Sequence, residues 1–118
     1  MAEPVQIDIS RPVGDYGAFE LSVSLDSPPT ETGAVNRQRF QLLFEPSARE
    51  GGWYLTIRTV VGVVLVRSVR LTPTVDLIDF ARVQVDGLPP GRLRIEAVAD
   101  PGLYSLTDGS VTMWYDLD

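Results

Sequence analysis

The sequence contains no cysteine and no histidine, and its ten basic residues are all arginine, so lysine is missing too. These three absences exclude most covalent mechanisms. Without histidine there is no Ser-His-Asp relay, without cysteine no thiol nucleophile, and without lysine no Schiff base. Zinc centres built on cysteine or histidine are excluded with them. The lack of cysteine also removes disulfides, which fits folding in a reducing cytosol. The opening Met1-Ala2-Glu3-Pro4 shows neither a basic n-region nor an apolar h-region, so no signal peptide is expected. The longest apolar run, Val60 to Val66 broken by Gly62, is too short to span a bilayer. A soluble protein with no membrane partner is the expectation.

Net charge is −6, and no basic run is present to grip phosphates, so specific nucleic-acid binding is not expected. The exclusive use of arginine admits two readings. A planar, weakly hydrated fork suits protein interfaces better than lysine does. A GC-rich genome that favours arginine codons produces the same composition.

What is present is an ordinary globular share of hydrophobic residues, 44% of 118. A chain of this length buries roughly two-thirds of its unfolded surface and needs no metal or disulfide to hold a core. One domain over 1–118 is expected. Alternation of period two recurs along it. Val5, Ile7 and Ile9 alternate with Gln6 and Asp8. Phe19, Leu21, Val23 and Leu25 alternate with Glu20, Ser22 and Ser24. Phe40, Leu42 and Phe44 follow, with Gln41 and Glu45 outward. Trp53, Leu55 and Ile57 face one side and Tyr54, Thr56 and Arg58 the other. Leu93, Ile95 and Ala97 alternate with Arg92, Arg94 and Glu96, and Val111, Met113 and Tyr115 with Thr112, Trp114 and Asp116.

Between these runs stand turn signals. They are Arg11 to Asp15, a long Pro/Gly/Ser/Thr-rich loop over 26–36, Pro46 to Gly52, Val60-Val61-Gly62, and Gly87 to Gly91. Val63 to Val66 has almost no polar alternation, so a strand covered on both faces is expected there. Thr74 to Phe80 reads either as a helical turn capped by Thr74 or as an extended crossing, and Val83 and Val85 as a brief strand. The sum is all-β, a small antiparallel β-barrel or β-sandwich of about seven or eight short strands.

The remaining chemistry is that of carboxylates. Asp76 with Asp79, or Asp86 with Glu96 or Asp100, are conceivable acid pairs for glycoside hydrolysis. Sixteen acidic residues in a small domain also produce such pairs by chance. Asp100-Pro101-Gly102 and Asp108-Gly109-Ser110 offer oxygen ligands but lack the spacing of a calcium loop, and turn formation accounts for them. Gly51-Gly52 precedes a strand and not a helix, so it is no phosphate loop. No catalytic residue, metal or cofactor is therefore expected. The paired aromatics Trp53-Tyr54 and Trp114-Tyr115 must point to opposite faces of their strands, one member to the core and one outward. An outward aromatic is a candidate interface anchor. The candidate interface residues are Tyr54, Arg58, Arg92, Arg94 and Trp114. Surface aromatics on a β-sandwich also suit a carbohydrate-binding or adhesion module, and Tyr54 and Trp114 would serve that alternative.

Residues 53–78 carry a resemblance. Trp53-Tyr54-Leu55-Thr56-Ile57 is followed by Gly62, Leu65, Leu71-Thr72-Pro73 and Asp76-Leu77-Ile78. Later come Leu88 to Leu93 with Gly91, and a closing strand with Trp114-Tyr115. This order resembles the small baseplate plug proteins of myovirus tails, including those of cyanophage. In that family a W-Y-x-x-I strand, a turn glycine, a returning apolar strand, a D-L-L-like segment, an L-x-x-G-x-L strand and a final aromatic pair succeed one another. The family often carries glycine where Ser68 stands, and an Asp-Gly hairpin where Val60-Val61-Gly62 stands. The resemblance runs from Phe40 to Leu117. It implies a structural virion protein at the centre of a contractile tail's baseplate, closing or lining the distal tube in several symmetric copies. Its partners would be other baseplate, hub and tail tube proteins, and it would assemble in the host bacterial cytoplasm.

Overall fold

The computed structural model describes residues 4–12, 17–26, 37–47, 49–73, 75–78, 88, 91–102, 105–107 and 109–116. Among them are seven strands: β1 (Val5–Ile7), β2 (Phe19–Asp26), β3 (Arg37–Ser47), β4 (Gly52–Thr59), β5 (Val64–Arg70), β6 (Arg92–Glu96) and β7 (Thr112–Asp116). They form two antiparallel sheets, one in the order β1-β7-β6 and one in the order β2-β3-β4-β5. No pairing joins the sheets, so the fold is sandwich-like and not a closed barrel. No described helix is long and apolar enough to cross a membrane.

The alternation read from the sequence sets the register. In the four-stranded sheet Phe19 lies opposite Phe44, which lies opposite Leu55, and Leu21, Leu42 and Ile57 make the next row. In the three-stranded sheet the rows are Val5, Tyr115 and Leu93, then Ile7, Met113 and Ile95. Both inward faces contribute to one hydrophobic cluster. A slip of one residue in any strand would turn its row to solvent, which is what holds the register.

Trp53 belongs to this cluster and is 1% exposed. Phe19 stacks on Phe44 at 4.8 Å between centroids and meets Trp53 edge-on at 5.7 Å. A buried indole requires an acceptor for its N–H. Trp53 Nε1 finds one in the Gly102 carbonyl at 3.0 Å, so the core side chain also anchors the connection between β6 and β7.

Two further contacts fix the three-stranded sheet. Asp76 Oδ1 accepts the Ile78 and Leu93 N–H groups, each at 3.2 Å, and Leu77 N–H donates to the Leu93 carbonyl at 2.8 Å. The described part of the ambiguous Thr74–Phe80 segment is thus a turn held by Asp76, with Leu77 and Ile78 buried. Thr74 itself lies outside the described residues, as do Phe80, Val83 and Val85 and all but the first residue of the 26–36 loop. Gly91 is the second fixed point. A Cβ there would lie 2.4 Å from the Asp116 carbonyl oxygen, and the Gly91 N–H donates to the Tyr115 hydroxyl at 2.7 Å. Only glycine fits so close an approach.

β5 departs from expectation. Val63 and Val64 are exposed, and only Leu65 and Val66 are buried, so the run is not covered on both faces. The reason is its place at the sheet edge and its irregular pairing. Val66 pairs with Ile57 and Val69 with Leu55, so Arg67 and Ser68 together face Thr56. This is a β-bulge, which twists and bends the strand. Ser68 adopts a left-handed backbone (φ 53°) and donates its N–H to Thr56 Oγ1 at 3.1 Å. That contact also explains why Thr56, expected to face outward in solvent, is buried.

A non-glycine residue in the left-handed region costs roughly 1–2 kcal/mol, and glycine's extra chain entropy offsets about 0.5–1 kcal/mol of that. Ser68→Gly is therefore expected to raise stability by up to about 1 kcal/mol, and Ser68→Val to lower it. Urea denaturation midpoints check this. A loss of stability in the glycine variant would show that the bulge does not form in solution.

Candidate functional site

The five candidate interface residues divide between two opposite surfaces. Tyr54 and Arg58 lie on the outer face of the four-stranded sheet. Arg92, Arg94 and Trp114 lie on the outer face of the three-stranded sheet, so no single patch contains all five.

On the first face Arg58 bridges three strands. Its Nε donates to Gln41 Oε1 on β3 at 2.9 Å, and its terminal nitrogen pairs with Glu20 on β2. β4 supplies the arginine because Gln41 stands directly opposite it and Ser22 beyond, leaving room for the guanidinium to reach Glu20. Tyr54 donates its hydroxyl to Glu50. Arg70, opposite Tyr54 on β5, lies 3.9 Å from Glu50 and 3.7 Å from Asp100. Beside Tyr54 is an open depression of about 280 Å³ lined by Glu45, Pro46, Ser47 and Ser68.

On the opposite face, β7 places Trp114 between Gln6 of β1 and Arg94 of β6. The Arg94 guanidinium lies 5.9 Å from the Trp114 ring centroid, within cation–π range. It also pairs with both Asp116 oxygens and with Glu96 at 2.8 Å. The hydrogen bonds to Asp116, then to Glu96, hold its pKa above the ordinary arginine value. Trp114 Nε1 donates to Thr112 Oγ1 at 3.0 Å. Arg92 is exposed at the end of the same row of side chains. Trp53 and Tyr115 are the inward members of the two aromatic pairs and are buried.

Each of the acid pairs has one member outside the described residues. Asp76 accepts backbone N–H groups as above, and Asp79 and Asp86 lie outside the described residues. No group of three or more potential metal ligands occurs among the described residues.

The sequence reading missed the tip of the β4–β5 hairpin. Its turn is well made: Thr59 N–H donates to the Val63 carbonyl at 2.9 Å, Gly62 N–H to the Thr59 carbonyl at 3.0 Å, and Gly62 takes the left-handed φ of 94° that favours glycine. Four of the seven exposed large hydrophobic side chains among the described residues gather there: Val60 at 53%, Val61 at 82%, Val63 at 56% and Val64 at 38%. The signal was available. Valines that flank a tight turn have no strand neighbour to cover them.

The Tyr54–Glu50 contact gives a pH signature. The hydrogen bond to Glu50 raises the phenol pKa above its usual value, because ionising it would place two anions together. The contact's contribution is complete below the ordinary phenol pKa and fades as pH rises through the raised one. Tyr54 ring resonances in an NMR titration should shift at higher pH than a free tyrosine, and Glu50→Gln should bring the midpoint down. An unchanged midpoint would show that the contact is not formed.

Against known proteins, no protein-family model, no curated protein and no solved structure matches the chain.

Proposed function

We propose that this chain is a non-catalytic structural component of a contractile phage tail, a baseplate plug or hub part that closes or lines the distal tube. The observation that carries the reading is the position of the residues behind the resemblance. Trp53 and Ile57 are core, Gly62 makes the hairpin turn, Leu71, Leu77 and Ile78 are buried, and Gly91 is pinned against Tyr115. Each serves architecture, as the shared parts of a structural family would. The net charge of −6 suits a wall that DNA must pass, since like charge discourages phosphate from sticking. The edge strands of both sheets, as far as the described residues go, suit sheet extension by neighbouring chains. Other baseplate, hub and tube proteins would be the partners, and the virion tail the location.

A carbohydrate-binding or adhesion module is the second reading. The depression beside Tyr54 is its seat, since Tyr54 is half-buried there with Glu45 and Ser47 as polar neighbours. Mass spectrometry of purified tail particles separates the two. The chain should appear in the particles at a fixed ratio to tube and hub proteins. Tails that assemble without it, together with glycan binding lost in Tyr54→Ala, would overturn the baseplate reading.

A further inference from the structure

Two features of the fold fit each other. The first is the valine tip of the β4–β5 hairpin. The second lies at the opposite end of the strand order. There β2 and β1, edge strands of the two sheets among the described residues, flank a groove of about 300 Å³. Its apolar lining is Val5, Ile7, Leu21, Val23 and Leu25, with Asp8 at one end. Val5 is itself 43% exposed. We propose that the valine tip of one copy inserts into the β1–β2 groove of another.

The charges around the two features favour a second copy as the occupant. Arg67 follows the tip valines and is exposed with no ion-pair partner among the described residues, while Asp8 is exposed in the groove lining. The charges at the two ends are therefore complementary. A lipid surface fits less well. The tip over 59–64 has no tryptophan or tyrosine to anchor at a membrane interface, and the chain is acidic overall.

A tip that fits a groove elsewhere on the same molecule makes a heterologous contact. Such contacts generate rings where the rotation closes and filaments where it does not. The inference deepens the proposal of a symmetric tail component and borrows from it the expectation of several copies. The contact is tested on purified chain, so its failure and the failure of the tail assignment are separate results.

Light scattering and sedimentation of the full chain over a wide concentration range test it. The wild type should self-associate. Val61→Asp with Val63→Asp, both at exposed tip positions, should weaken association at least roughly tenfold. Val5→Asp, at an exposed position of the groove lining, should do the same by putting a charge in an apolar contact. Circular dichroism and thermal melts should show both variants folded. Mixing them should restore a one-to-one pair, because one retains the groove and the other the tip. A wild type that stays monomeric throughout overturns the proposal. So does a tip or groove variant that associates as the wild type does. A monomer that binds phosphatidylcholine vesicles through Val61 would assign the tip to lipid and overturn it as well.

Discussion

A buried indole must satisfy its N–H, and in this fold that requirement ties the core to the chain outside it. Trp53 is enclosed by the inward rows and donates to the Gly102 carbonyl. Because Trp53 faces inward, β4 must keep Leu55 and Ile57 inward with it. β3 must then place Phe44 and Leu42 opposite them, and β2 must bring Phe19 onto Phe44. Because the acceptor is Gly102, the connection entering β7 is drawn against the same core. Truncating a buried aromatic of this kind typically costs about 3–5 kcal/mol, a large part of a small domain's stability.

The same arrangement decides what is left open. Among the described residues the two sheets share one core without joining, and their edge strands are β1, β6, β2 and β5. The outer faces are closed by polar contacts within the chain. Arg58 links Glu20 and Gln41, and Arg94 is held by Asp116, Glu96 and the Trp114 ring. Partly exposed pairs of this sort contribute little stability, on the order of 0–1 kcal/mol each. They do occupy the groups that would otherwise greet a partner. Among the described residues the valine tip carries no such closure, which moves the weight of the contact proposal from the outward aromatics to the hairpin.

Much of the fold was legible in the sequence because period-two alternation is a local signal. Phe19 to Leu25, Trp53 to Ile57 and Thr112 to Asp116 each declare which face is inward. The bulge at Ser68 was not legible, since its cause is the pairing of β5 with β4 and not a glycine in the chain. Val63 to Val66 misled for a related reason. An apolar run reads as buried, yet burial depends on whether another layer covers it, and β5 is an edge. Sandwich and barrel could not be separated because strand count is silent on closure. Tyr54, Arg58, Arg94 and Trp114 were found as outward residues, but their division between two faces and their partners within the chain follow from topology.

The central claim is that both sheets stand on one cooperative core to which Trp53 belongs. Native-state hydrogen exchange tests it most directly. The account predicts that the slowest amides of β3 and β4 and those of β6 and β7 open with one common free energy, equal to that of global unfolding. Amides of the Val60–Val63 turn should exchange far faster. A distinctly lower opening free energy for β6 and β7 would mean that the three-stranded sheet unfolds by itself, and that the core is not shared.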